Sequence, residues 1–552
     1  MNNVREENIV NLHSWKKYTL FYLLTLSLFL TACQSTSQEK TGGETVQPQS
    51  GGELIYGLAT SPDSLDPHTS GMAVSTRVNN GIYEKLVYQT SDNKIEPWLA
   101  TSWEVSDDQK TFTFKLRDDV SFHDGSKFNA EVVKYNFDRI VNPETKAASA
   151  YALIENYESS EVIDDYTVRI HFSEPSTTFL NNLSQPKLAI VSKEAAEKYG
   201  LSLATNPVGS GPYKFVSLDE NNEIVLERFE DYSWKAPYAN HEGKAYLDKL
   251  IYKIIPEEAT RIGSAQSNQV NAVETIPPQD IQAIKSSGNL KIYEAETAGM
   301  PYGLFINPEN DPWNQLEARK ALQETIDIES IVNTLYLGTY KRAWSVLTPT
   351  ILGYDKDLEN KNTIDITHAN SLLDEIGWKK NSDGIREKGG KELVLRLIDS
   401  NVNREKRHDI ATIIQQQLKE IGVKLEITTT AEYYNITKNG KDYDVIGNSR
   451  VAGDPDVLRL FFHSEKLPEN GGSNLARIAD KEIDQWLEQG ELEVDPEKRA
   501  DSYKKVQQKL IEQAYFIPVY LFPYTVATSN QVEDLAFDSQ GYPLFNDVFL
   551  NK

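Results

Sequence analysis

Residues 410–427 read Ile-Ala-Thr-Ile-Ile-Gln-Gln-Gln-Leu-Lys-Glu-Ile-Gly-Val-Lys-Leu-Glu-Ile. Ile410, Ile413, Ile414, Leu418 and Ile421 recur at the three- and four-residue spacing that lines one face of a helix. Gly422 can take the positive φ that ends it, and Val423, Leu425 and Ile427 then alternate with charged residues as a half-buried strand does. A helix that turns at a glycine directly into a strand is a unit of an α/β protein. The alternation recurs in Thr111-Phe112-Thr113-Phe114-Lys115-Leu116 and from Tyr166 to Phe172, with a helical stretch from Ala130 to Ile140 between them. Asp495 followed by Pro496 announces a further helix with Tyr503, Val506 and Leu510 facing inward, and Asp365 to Ile376 forms a shorter one stopped at Gly377. The expected fold class is α/β with mixed sheets. No period of 20 to 50 residues recurs, which argues against a solenoid or propeller.

The chain has 552 residues, room for three or so units of about 100–200 residues each. Its 57 basic and 82 acidic side chains give a net charge of -25, a surface that repels phosphate backbones, so no nucleic acid is expected as a partner. Cys33 is the single cysteine. It can form no intramolecular disulfide, and the multi-cysteine zinc sites are out of reach. No nucleophile elbow, Walker loop, dinucleotide fingerprint or His-Glu-x-x-His helix occurs, and none of the eight histidines pairs with another at i, i+3 or i+4. These absences take away the supports of an enzyme reading, and no cofactor or metal site is expected.

Lys16 and Lys17 precede an uncharged, mostly apolar run from Tyr18 to Leu30, followed by Thr31, Ala32 and Cys33. As a helix that run rises only about 20 Å, short of the roughly 30 Å hydrocarbon core, so residues 1–32 read as a signal peptide and not as a span. Leu30-Thr31-Ala32-Cys33 resembles the bacterial lipobox, which implies diacylation of Cys33 and cleavage before it. From Gln34 to Gly52 the composition is that of a flexible linker with a reach of roughly 25 Å. The mature head is thus expected at the extracellular face of the bacterial membrane, held there by lipid.

Further resemblance lies in the body of the chain. Leu99-Ala100-Thr101-Ser102-Trp103-Glu104-Val105-Ser106-Asp107-Asp108, Phe122-His123-Asp124-Gly125, Pro207-Val208-Gly209-Ser210-Gly211-Pro212-Tyr213, Leu304-Phe305-Ile306-Asn307 and Phe516-Ile517-Pro518-Val519 resemble the family 5 extracellular solute-binding proteins. These are receptors of ABC importers for oligopeptides, dipeptides and nickel or metal chelates. The likeness runs over residues 53–552, with departures at Val132, Ser210 and Asn268–Asn271. It implies a two-lobed fold of the type II periplasmic-binding-protein kind with a hinge cleft: lobe I at 53–295 and 520–552, with an extra subdomain at about 86–204, and lobe II at 296–519. It also implies a monomer that binds a short peptide or a metal chelate without covalent chemistry and works with separate permease and ATPase subunits. A peptide-pheromone sensor is the alternative role.

The two loop motifs read as scaffold. Gly209 and Gly211 flank Ser210 in a tight turn, and His123-Asp124-Gly125 turns from a strand toward the helix at Ala130. For the ligand, Arg450-Val451-Ala452-Gly453-Asp454-Pro455-Asp456 follows an expected strand Tyr443 to Ile446. It resembles the Gly-Asp-Pro-Asp segment that reaches the ligand's amine in dipeptide-type members, which makes Asp454 the first candidate and Asp456 the second. Arg450 and Arg342 are candidates to fork a carboxylate. Tyr302, Trp344 and Tyr443 are candidate aromatic walls.

Overall fold

The computed structural model describes residues 47–219, 223–361 and 364–551. The signal segment and Cys33 lie outside the described residues. The end of the expected linker is bonded to lobe I: the Gly51 amide donates to the Tyr246 carbonyl at 2.7 Å and the Gly52 amide to Asp248 Oδ2 at 2.9 Å.

The unit at 410–427 forms as its pattern requires. The helix Arg407–Leu418 runs through a short 3₁₀ turn into Gly422, whose φ is +75°. A Cβ there would also lie 2.7 Å from the Gly384 carbonyl, so both conformation and space call for glycine. The strand Lys424–Thr429 then pairs in parallel with Val394–Asp399. It edges a six-stranded mixed sheet ordered Lys341–Arg342, Phe516–Leu521, Gly299–Ile306, Val445–Val451, Val394–Asp399, Lys424–Thr429. Ile410, Ile414, Leu418 and Ile421 bury against Leu395, Leu397 and Leu425, forming the core of lobe II.

Lobe I is built on a seven-stranded mixed sheet ordered Leu290–Glu296, Pro523–Ser529, Ala272–Glu274, Glu53–Leu58, Lys249–Ile254, Glu223–Arg228, Tyr213–Asp219. The chain passes between the two sheets at Thr297–Ala298 and again at Phe522. Thr297 Oγ1 donates to the Phe522 carbonyl at 2.9 Å, so the two crossings are bonded to each other. Tyr520 and Leu521, assigned to lobe I from sequence, pair with Arg342 and Lys341 in the sheet of lobe II, while Glu296 pairs with Pro523 in that of lobe I.

A four-stranded antiparallel sheet, Ala100–Val105, Thr111–Leu116, Thr167–Phe172 and Tyr157–Asp164, forms the extra subdomain with the helix Ala130–Val141. Phe112, Phe172 and Phe179 pack edge to face at centroid distances of 4.6–5.8 Å. That aromatic core fixes the short helix Phe179–Leu183, which matters below. Next to it, the fully buried Glu84 carboxylate accepts hydrogen bonds from Trp98, Tyr232, Trp234 and Ser210 at 2.8–3.1 Å. Burial pushes this acid above the usual range against those donors. Both turn motifs are scaffold: the half-buried His123 has its ring held to about pKa 4 by desolvation, donates from Nε2 to the Gly211 carbonyl at 2.9 Å and accepts the Gly209 amide at Nδ1 at 3.3 Å.

Candidate functional site between the lobes

The strand Val445–Val451 extends further than its pattern suggested and carries Arg450 within the sheet, opposite Met300. The chain then leaves the sheet at Ala452 and presents Gly453 and Asp454 to lobe I. The sequence candidates separate here into three groups.

Asp454 is buried and saturated. Arg499 Nη2 and Nη1 fork its two oxygens at 2.7 and 3.0 Å, the Asp456 amide donates to Oδ1 at 2.8 Å, and Asn181 Nδ2 donates to Oδ2 at 2.6 Å. Burial works to raise this carboxyl, but the Arg499 guanidinium and its donors prevail and hold it below the usual carboxylate range. Asp456 turns into lobe II, accepting Tyr503 Oη at 2.9 Å and Arg459 Nε at 3.1 Å. Neither aspartate presents a free oxygen pair to an incoming ammonium, which is the physical reason the amine role expected of them does not fit this geometry.

Two of the three expected walls are core residues. Tyr443 is fully buried and donates its hydroxyl to the Leu475 carbonyl at 2.7 Å. Tyr302 is buried, stacked on Tyr520 at 4.9 Å, and capped by the Arg407 guanidinium 4.4 Å from its centroid. Trp344 is half-buried beneath Arg342, whose guanidinium carbon is 3.7 Å from the indole centroid. Arg342 also reaches Glu329 at 3.6 Å.

Arg450 is different. Among the described residues its side chain has no hydrogen-bond or ion-pair partner. It faces lobe I, where it acts electrostatically on Lys187 and on the Tyr542 hydroxyl. Lys187, on the 3₁₀ turn Pro186–Leu188 of the extra subdomain, likewise has no side-chain partner among the described residues. Burial, reinforced by the charge of Arg450 and only partly offset by Asp63, pushes its ammonium down to about 7. Two cations from opposite lobes thus act on each other, and among the described residues neither side chain has an ion-pair partner; Asp63 offsets Lys187 only in part. Toward the hinge lies a cavity of about 210 Å³ lined by both lobes and both crossings, with Glu296, Thr297, Lys341, Thr348, Thr350 and Phe522 among its walls.

The model of the bacterial extracellular solute-binding proteins, family 5, matches residues 94–466 of the chain. The chain belongs to this family. Heme-binding protein A of Haemophilus influenzae is 30% identical over 95% of this chain and 98% of its own length. Glutathione-binding protein GsiB of Salmonella typhimurium is 27% identical over 87% of this chain and 91% of its own. The oligopeptide-binding protein AppA of Bacillus subtilis, solved with a nonapeptide, superposes with a TM-score of 0.77 at 26% identity, covering 92% of this chain and all of that one. As a family 5 solute-binding protein, this molecule works on the extracellular side as the ligand-capturing component of an ABC importer, alongside permease and ATPase subunits, and is not an enzyme.

Lys187, Asn181 and Arg499 escaped sequence reasoning. Lys187 sits on the 3₁₀ turn Pro186–Leu188 and Asn181 on the short helix Phe179–Leu183, and no motif marks either. Arg499 lies on the inner face of the helix Pro496–Glu512, where the pattern marks only its apolar neighbours.

Proposed function

We propose that this chain is a lipid-anchored receptor that closes around a small solute bearing carboxylate groups, short peptides foremost, and hands it to its permease. The single observation that carries this reading is the pair Lys187 and Arg450, cations on opposite lobes whose side chains have no hydrogen-bond or ion-pair partner among the described residues. A carboxylate placed between them gains charge-assisted hydrogen bonds worth about 1.5–3 kcal/mol each. It also removes their mutual repulsion. Because that repulsion is felt only when the lobes approach, the anion binds the closed form better than the open one, which is the condition for a ligand to drive closure. Heme and glutathione, after which two of the relatives are named, each carry two carboxylates, in keeping with such a site.

Native mass spectrometry of the protein purified without added solute tests the ligand class. An anionic peptide-like species is expected in the cleft, and recovery of only cationic or uncharged solutes would contradict the reading. Titration with trialanine and with nickel–histidine separates peptide from metal chelate. The anchor rests on Cys33, and labelling with radioactive palmitate is expected for the native chain and lost on Cys33→Ala.

A further inference from the structure

Across the seam between the lobes, a set of side-chain bonds joins the extra subdomain of lobe I to lobe II. Gln89 Nε2 donates to the Gly453 carbonyl at 3.0 Å, and Asn93 Nδ2 donates to the Thr350 carbonyl at 3.1 Å. Asn181 Nδ2 donates to Asp454 at 2.6 Å, the Thr177 hydroxyl to the Glu491 carbonyl, and Lys466 Nζ meets Glu155 at 3.2 Å. Most of these are exposed or reach backbone carbonyls. The Asn181 bond ends instead on a buried carboxylate that lobe II itself holds rigid through the Arg499 fork. A charged acceptor roughly doubles the worth of such a bond.

Gly453 supplies the second observation. A Cβ there would lie 2.6 Å from Gln89 Oε1, 2.8 Å from Gln185 Nε2 and 3.3 Å from Gln540 Nε2, all three side chains belonging to lobe I. Its φ is not positive, so glycine is required at this point for room and not for conformation. That room is needed only when the lobes are together.

We propose that Gly453 and Asp454 form an interlobe latch, in which Asp454 is a positioning residue that receives Asn181 and stabilises the closed receptor independently of which solute it carries. The latch opposes the repulsion between Lys187 and Arg450. The empty receptor therefore closes transiently, and an anion that cancels the repulsion leaves the latch unopposed.

The test uses the ligand-free full chain with Cys33→Ser, and places one cysteine on each side of the seam, Glu155→Cys and Lys466→Cys, where an exposed ion pair worth little is lost. The rate of cross-linking by a short bis-maleimide reads the closed population even when it is small. Asn181→Ala is expected to slow cross-linking about tenfold, by the worth of one charge-assisted bond. Gly453→Val is expected to slow it at least as much, and Arg450→Ala to speed it. Both latch variants leave the Asp454–Arg499 pair intact, and unchanged thermal melting verifies that they fold. Equal rates in the parent, Asn181→Ala and Gly453→Val overturn the proposal, as does absence of cross-linking in the parent. Because no solute is present, these outcomes are distinct from a failure of the carboxylate reading.

Discussion

Arg450 and Asp454 stand four positions apart at the end of one strand, both aimed at lobe I, yet their surroundings are opposite. Asp454 is enclosed by Arg499, Asn181 and the Asp456 amide, and every charge it carries is compensated by protein. Among the described residues the Arg450 side chain has no hydrogen-bond or ion-pair partner, and its charge acts on the Lys187 ammonium and the Tyr542 hydroxyl. A compensated buried charge belongs to the architecture, since removing one partner strands the other. An uncompensated one is energetically incomplete and gains most from what arrives. On the proposed reading, the aspartate does mechanical work and the arginine recognition.

The sharpest way to break this comparison is to delete each charge in turn. Asp454→Ala strands the Arg499 guanidinium in a buried site and is expected to lower the free energy of unfolding by about 3–5 kcal/mol, read by urea denaturation. A variant as stable as the parent would mean that the pair is not structural. Arg450→Ala is expected to leave the urea midpoint in place while weakening trialanine binding roughly ten- to a hundredfold in calorimetry. Loss of stability with unchanged affinity would reverse the two assignments.

The lysine gives a subtler effect. Burial and the charge of Arg450 push empty Lys187 down to about 7, against Asp63, and a bound carboxylate raises it again. Binding therefore takes up a proton above neutrality. Affinity for a carboxylate ligand should be highest below pH 7 and fall roughly tenfold between pH 6.5 and 8.5, with proton uptake visible in buffers of different ionisation enthalpy. A flat pH profile would remove Lys187 from the site. The smallest effect is assigned to Tyr443→Phe, which deletes the hydroxyl bond to the Leu475 carbonyl. About 1 kcal/mol of stability should be lost and no affinity, since the ring lies in the core of lobe II. A change in binding would return Tyr443 to the cleft wall.

Local physics was legible in the sequence wherever a period and a stop signal coincide. The helix ending at Gly422, the paired strands Thr111–Leu116 and Thr167–Phe172, and the Asp495 cap, whose side chain accepts the Glu497 and Lys498 amides, formed as patterned. The reach of Val445–Val451 was not legible, because Asn448, Ser449 and Arg450 break the apolar run and only pairing with Gly299–Ile306 holds them in the sheet. The candidate site was legible by segment and not by role. The stretch 450–456 does face the opposite lobe, but whether an aspartate there is free or paired depends on Arg499 and Asn181, which come from two other helices. Tyr443 and Tyr302 show the same limit: an aromatic residue reads alike whether it lines a cleft or fills a core, and only its neighbours decide. Lys187 carried no signal, because its significance lies in three dimensions, where among the described residues no ion-pair partner meets it and Arg450 faces it from the other lobe.

The central claim, that recognition rests on opposed cations and not on an aspartate for the ligand's amine, is tested most directly by calorimetry with three versions of one peptide: trialanine, its C-terminal amide and its N-acetyl form. We expect the amide to bind at least tenfold more weakly than trialanine, and the acetylated peptide to bind about as well as trialanine. Equal binding of acid and amide, together with loss of binding on acetylation, would contradict the account and restore the amine as the group the receptor reads.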